Sequence, residues 1–123
     1  MKVSKKNNFI FKEENTLDER IRIVKDLKKK YIGKIPIICE KASNCKLEGE
    51  IKSHFMLPND LYFNEFIYII RQKLKLKSSV AIFLIIDDKY SIMGNDPISI
   101  IYEKYKDKDG ILYIHYSDQE IYG

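Results

Sequence analysis

The spacing of apolar positions divides the chain into alternating helical and extended segments. Leu17, Ile21, Val24, Leu27 and Tyr31 recur at helical intervals, which predicts a helix from about Leu17 to Lys30 with an apolar stripe and a basic outer face. Thr16-Leu17-Asp18-Glu19 opens it as a capping box, a hydroxyl at the N-cap and a carboxylate three residues on. A short helical turn is expected just before it, near Phe11–Glu14. Ile35–Lys41 reads as a strand, and its Pro36 implies an edge or irregular start. Lys52–Leu57 reads as a second strand, stopped by Pro58. Pro58-Asn59-Asp60 announces another helix, capped by Asn59 or Asp60, with Phe63, Phe66, Ile67, Ile70 and Leu74 as its buried stripe. Val80–Ile86 is a continuous apolar run of strand length, as expected for a strand buried on both faces. Asp96-Pro97 starts a last helix, Asp as cap and Pro at the first helical position, running to about Tyr105. Asp107-Lys108-Asp109-Gly110 is a turn, Ile111–Ser117 a final strand, and a short polar tail follows.

The resulting order is helix, strand, strand, helix, strand, helix, strand. Two early strands can pair as a hairpin, a long helix can cross the sheet, and the last strand can return to its centre. This predicts an α+β fold of β-grasp type. On periodicity alone a ferredoxin-like arrangement stays open.

Length and charge narrow the function. At 123 residues the chain is of single-domain size and long enough to bury a core without disulfide or metal support. The net charge of +4 is uneven: residues 1–41 hold 12 Lys/Arg against 6 Asp/Glu, and the remainder 10 against 12. A basic N-terminal part suits acidic protein partners or an anionic membrane surface. No dense basic run is interleaved with aromatics, so nucleic acid is not an expected partner. The longest apolar run is too short to cross a bilayer and no signal peptide is apparent, so a cytoplasmic location is expected, with any membrane attachment added covalently or through a partner.

Four stretches carry a specific resemblance. They are Phe11-Lys12-Glu13-Glu14; Lys30-Tyr31 with Ile35-Pro36-Ile37-Ile38-Cys39-Glu40-Lys41; Phe55-Met56-Leu57-Pro58; and the end of the chain from Tyr113 to Gly123, a strand followed by Ser-Asp-x-Glu-apolar-Tyr-Gly. In order, spacing and neighbours they resemble the GABARAP family of autophagy modifiers, from about Phe11 to Gly123. The resemblance implies a ubiquitin-like β-grasp with two additional N-terminal helices. Its divisions are a flexible basic terminus over residues 1–8, a helical subdomain over 9–34, the core over 35–117 and a flexible conjugation tail over 118–123. It also implies a chemistry in which an activating enzyme adenylates the terminal glycine, conjugating enzymes carry it as a thioester, and Gly123 ends in an amide to phosphatidylethanolamine. A glycine carboxylate, lacking a Cβ, can enter a narrow channel. A two-chain lipid holds a polar domain firmly on a membrane. Autophagosomes or related vesicles are the implied destination, with a plastid membrane as an alternative.

A second site follows from the same resemblance. An exposed edge strand presents unpaired N–H and C=O groups to an extended peptide. In the family, two hollows beside such a strand take the ends of an aromatic-x-x-aliphatic motif borne by receptors or adaptors. Transferred residue by residue, the aromatic hollow maps to Pro36, Ile38, Met56 and Ile111, and the aliphatic one to Phe55, Leu57, Pro58, Leu61, Phe66 and Ile69. Lys34, Lys52, His54, Arg71 and Lys73 map to a basic rim. Phe66, Ile69 and Ile38 fit a plain core role equally well, and the Lys and Arg residues fit solvated charges. This chain departs from the family at Lys52-Ser53-His54, where a run of lysines is usual, at Ile23, which replaces an acidic residue, and at Ile111, which replaces an aromatic. Lys89–Asp96 stands where paired prolines are usual.

Other residues offer no chemistry. Cys39 lies in a strand and reads as a buried small hydrophobe, and a bridge to Cys45 is not expected. His54, His115 and the cysteines lack a zinc spacing, and no phosphate loop or catalytic constellation stands out. The expectation is therefore a monomeric modifier that is not an enzyme and has no cofactor, with a ubiquitin-like peptide-binding module that is never conjugated as the alternative.

Overall fold

A computed structural model describes residues 8–87, 90–92 and 94–120. In chain order the elements are α1 (Ile10–Glu14), α2 (Leu17–Lys30), β1 (Lys34–Lys41), β2 (His54–Pro58), α3 (Phe63–Leu74), β3 (Phe83–Ile86), β4 (Tyr90–Ser91), α4 (Ile98–Tyr105) and β5 (Leu112–Ser117). The sheet runs β2-β1-β5-β3-β4. The β1–β2 pair is antiparallel, with Ile37 opposite Phe55, whereas β5 lies parallel to β1, with Ile37 opposite Leu112. A hairpin whose first strand is joined in parallel by the last strand is the β-grasp arrangement and excludes the ferredoxin-like one.

Strand alternation sorts the apolar residues into two cores. Ile35, Ile37 and Cys39 of β1 join Leu112, Ile114 and Tyr116 of β5 on one face, covered by Phe63, Phe66 and Ile70 of α3 and by Ile98, Ile101 and Tyr102 of α4. On the other face Ile38, Ile111 and Tyr113 meet Val24 of α2, with Phe9 and Phe11 packed alongside. The central strand β5 is buried at every position. Cys39 is fully buried and both cysteines are free. Burial, and then the nearby Glu40 charge, pushes the Cys39 thiol far above its usual range, so it stays protonated.

The second face is small, and polar contacts hold its helices. Asp109, its side chain fully buried, accepts from Arg20 Nε at 2.8 Å, from its neighbour Ile111 N–H at 2.8 Å and from the Tyr113 hydroxyl. Arg20 also donates to the Asn15 carbonyl at 2.9 Å. Burial alone would lower the Arg20 pKa, but the hydrogen bond to Asp109 and the surrounding anionic groups raise it. Burial and then Asp109 push the Tyr113 phenol well up, so it remains a donor. Lys12 Nζ reaches Asp107 at 2.8 Å and lies over the Tyr113 ring. The first N–H groups of α1 meet the Glu40 carboxylate: Ile10 at 2.8 Å and Phe11 at 3.2 Å. Phe9 stacks on the His115 ring at 3.9 Å between centroids.

Several boundaries differ from the sequence expectation. The Thr16–Glu19 capping box is formed in both directions, at 3.2 and 2.7 Å. However, Ile21 is 44% exposed, and Arg20 occupies the buried face in its place, because Asp109 neutralises it there. Strand β2 begins at His54 and includes Pro58 as its last residue. The preceding Ser53 still accepts from Cys39 N–H at 2.8 Å, while Lys52 stands outside the strand. Neither Asn59 nor Asp60 caps α3. Its N-cap is Tyr62, and the first amides meet the 95–96 loop, Phe63 N–H at the Asp96 carbonyl and Asn64 N–H at Asn95 Oδ1. That use of the loop leaves Pro97, with extended ψ of 144°, as the N-cap of α4 rather than its first helical residue. The run from Val80 becomes strand only at Phe83, since residues 77–80 form a turn held by Arg71, whose guanidinium donates to the Lys77 and Val80 carbonyls at 2.7 Å each.

Two measurements test these contacts. Gly110 sits at φ +91°, and an added Cβ would lie 3.0 Å from Val24 Cγ1. Gly110→Ala should lower unfolding free energy by about 1–3 kcal/mol, read by urea denaturation. At Asp107 burial raises the pKa, but the hydrogen bonds from Lys12 and the Asp109 N–H outweigh it, so the value is lowered. A folded-state pKa below the unfolded one stabilises at pH above the unfolded value and loses that contribution as pH falls. Wild type should therefore exceed Asp107→Asn in stability by a constant margin near neutral pH, shrinking below about pH 4, in urea titrations across pH.

A candidate docking edge beside an apolar hollow

Strand β2 closes one side of the sheet, and no strand among the described residues pairs with its outer edge. The register and the Cys39-to-Ser53 hydrogen bond define which groups face outward. Antiparallel ladders alternate hydrogen-bonded and non-bonded pairs. Cys39–Ser53, Ile37–Phe55 and Ile35–Leu57 are thus the bonded pairs, which turns the N–H and C=O of His54 and Met56 away from β1. Pro58, at the next outward-facing position, has no N–H and ends the row of outward donors, while Asn59 N–H still donates to the Gly33 carbonyl at 3.1 Å.

This edge lines one hollow, and a second lies along α3. The larger, of about 570 Å³, is bounded by Phe11 of α1, by Ile23, Leu27 and Tyr31 of α2 and its C-cap, by Lys34, Pro36 and Ile38 of β1, by His54, Phe55 and Met56 of β2, and by Ile111. Phe11 meets the His54 ring edge-on at 5.3 Å. The ammonium groups of Lys30 and Lys34 lie 5.3 and 5.9 Å from the Tyr31 ring centroid, which makes the α2 end of the hollow cationic. The smaller hollow, about 370 Å³, is lined by Leu61, Asn64, Glu65, Tyr68 and Ile69. There Glu65 caps α3, its carboxylate accepting from Tyr62 N–H at 2.9 Å.

The residues singled out in the sequence are distributed accordingly. Pro36, Ile38, Met56 and Ile111 share the larger hollow, with Lys34 and His54 among its lining. Leu61 and Ile69 share the smaller one. Phe66 is fully buried, and Leu57 is 6% exposed, so both belong to the main core, with Phe55 packed edge-on against Phe66 at 5.4 Å. Pro58 stands exposed at the strand end. Arg71 is committed to its turn, and Lys52 and Lys73 are exposed. Ile23, noted in the sequence as a departure from the family, joins this lining, whereas Phe11, Leu27 and Tyr31 carried no sequence signal for it. Ile23 and Leu27 lie four apart and so face one way on α2, but that spacing does not reveal the strand they face.

Gly123, the expected conjugation residue, lies outside the described residues, as do residues 1–7. The described part of the tail is anchored. Ser117 Oγ donates to Asn44 Oδ1 at 2.9 Å and accepts from Gln119 N–H at 3.0 Å, while Asp118 accepts from Lys46 N–H at 3.0 Å. That Lys46 contact leads the causes that lower the Asp118 pKa. The tail expected to be free from residue 118 is thus held as far as Gln119.

The edge assignment has a direct readout. In hydrogen exchange followed by NMR, the His54 and Met56 amides should exchange orders of magnitude faster than those of Phe55 and Leu57. Equal protection at all four would mean that the outer edge is covered.

Comparisons with known proteins agree with this architecture. The family described as "Autophagy protein Atg8 ubiquitin like" matches residues 19–123. Autophagy-related protein 8 of Mycosarcoma maydis is 35% identical over 113 residues, covering 92% of this chain and 95% of that protein. Autophagy-related protein 8e of Arabidopsis thaliana is 36% identical over 114 residues, covering 93% of each. The crystal structure of Trypanosoma brucei ATG8 superposes with a TM-score of 0.82 at 30% identity, covering 89% of this chain and 94% of that one.

Proposed function

Because the chain belongs to the Atg8 family of ubiquitin-like autophagy proteins, we propose that it is a modifier joined through Gly123 to phosphatidylethanolamine, and that it recruits receptors or adaptors through short aromatic-x-x-aliphatic motifs. In this reading the activating and conjugating enzymes supply the catalytic cysteines, and Gly123 is the group they transfer. The modified protein acts at autophagosomes or related vesicles. Residues 9–34 serve as a helical subdomain on the core over 35–117, and the chain beyond Gln119 carries the reacting carboxylate.

One observation carries the docking half: β2 leaves the His54 and Met56 backbone groups facing outward beside an apolar hollow that β2 itself lines, with a smaller hollow along α3 suited to the aliphatic end of the motif. A peptide strand gains main-chain hydrogen bonds there, while its alternating side chains enter the hollows. Lys30 and Lys34 give the aromatic end a cationic rim, which Lys52 before the strand would extend; such charge favours carboxylates beside the motif and speeds encounter more than it adds affinity.

The two halves separate experimentally. Wild type, a Gly123 deletion and a Lys52→Glu/Met56→Asp double variant are incubated with cognate activating and conjugating enzymes and liposomes containing phosphatidylethanolamine. The deletion should lose lipid attachment entirely and keep peptide binding. The double variant should keep attachment and lose peptide binding at least tenfold, roughly the effect of removing a central anchor. Lipid attachment of the deletion variant would refute the conjugation site.

A further inference from the structure

The larger hollow has a chemical bias of its own. Much of its lining is hydrocarbon: Ile23 and Leu27 from α2, Ile38 from β1, Met56 from β2 and Ile111 ahead of β5. Among its lining residues no carboxylate or amide side chain is present. The polar side chains are Tyr31, which lies beneath two ammonium groups, together with Lys34 and His54, both exposed. Ammonium groups only donate, and an exposed acceptor already served by water offers an incoming donor little net gain.

A phenylalanine ring asks nothing of such a space beyond apolar area. An indole N–H or a phenol O–H must leave water, and without a shielded acceptor that loss is not made good. We infer that this hollow selects phenylalanine over tryptophan and tyrosine, within an extended segment that carries carboxylates next to the aromatic. The lysines at the mouth supply the complementary charge. This selectivity rests on the docking reading above and assigns Ile23 as a specificity-determining residue, because it places a hydrocarbon on the helical wall where an acceptor could stand.

The test uses the full chain and three fluorescein-labelled peptides that differ only in the aromatic residue, each with acidic residues before it and leucine three positions after. Fluorescence anisotropy should give the phenylalanine peptide an affinity about tenfold above the other two. Ile23→Glu and its uncharged counterpart Ile23→Gln supply an acceptor on the wall. Both should narrow the tryptophan deficit to about threefold or less without strengthening the phenylalanine peptide, with thermal unfolding confirming the fold of each. Tryptophan or tyrosine binding to wild type as tightly as phenylalanine overturns the selectivity. If that binding is also lost in Met56→Asp, docking at the hollow itself stands. Failure of all three peptides to bind overturns docking and selectivity together.

Discussion

The arrangement depends on one buried carboxylate. Asp109 sits where the α4–β5 turn enters the sheet and gathers donors from three places: the guanidinium of α2, the backbone of its own turn and the phenol of β5. A charge taken out of water is tolerable only when its hydrogen-bonding capacity is met, and these three donors meet it. They also fix a helix to a sheet. The apolar cluster beneath α2 is small, built on Val24, Ile38, Ile111 and Tyr113, and such an area alone holds a two-helix layer weakly. Lys12–Asp107 and the Glu40 contacts to the start of α1 extend the same clamp along the layer.

That clamp makes the docking edge possible. The main core, on the α3 and α4 face, is self-sufficient in apolar contacts and sets the β-grasp. The larger hollow instead lies between the two units, with α2 on one wall and β1, β2 and Ile111 on the other. An edge strand by itself offers only a backbone ladder, which binds extended chains with little discrimination. Beside a wall held at fixed distance it becomes a slot with a size, a charge at its mouth and an apolar interior. Recognition chemistry and the attachment of the helical layer are therefore one structural problem.

Much of the fold was legible because it rests on local signals. The Thr16 capping box, the stripe of α3 and the apolar run of β5 each announced an element that formed. The errors arose where a tertiary partner overrode a local pattern. Arg20 is buried in place of Ile21 because of a carboxylate 89 positions away, which no window along the chain can see. Asp107-Lys108-Asp109-Gly110 read as a turn and is one, but its role as an anchor follows from what it meets. Asn59 and Asp60 are good capping residues that are not used, since α3 starts after Tyr62 and its first amides meet the 95–96 loop instead. At the docking site, the strand residues and the departure at Ile23 came from resemblance, while the rest of the α2 wall, Leu27 and Tyr31, came from packing. Leu57 and Phe66 show the converse: one is on the edge strand and the other packs against its Phe55, yet both are spent on the core.

The account stands or falls on whether Arg20–Asp109 holds α1 and α2 to the sheet as a unit. Hydrogen exchange by mass spectrometry on wild type and Arg20→Met measures this directly. Loss of the partner leaves Asp109 buried with an unmet charge, and the account predicts that peptides from α1 and α2 lose protection while those from β1, β3 and β5 retain it. Unchanged protection of α1 and α2, or a uniform loss across the whole chain, would contradict it.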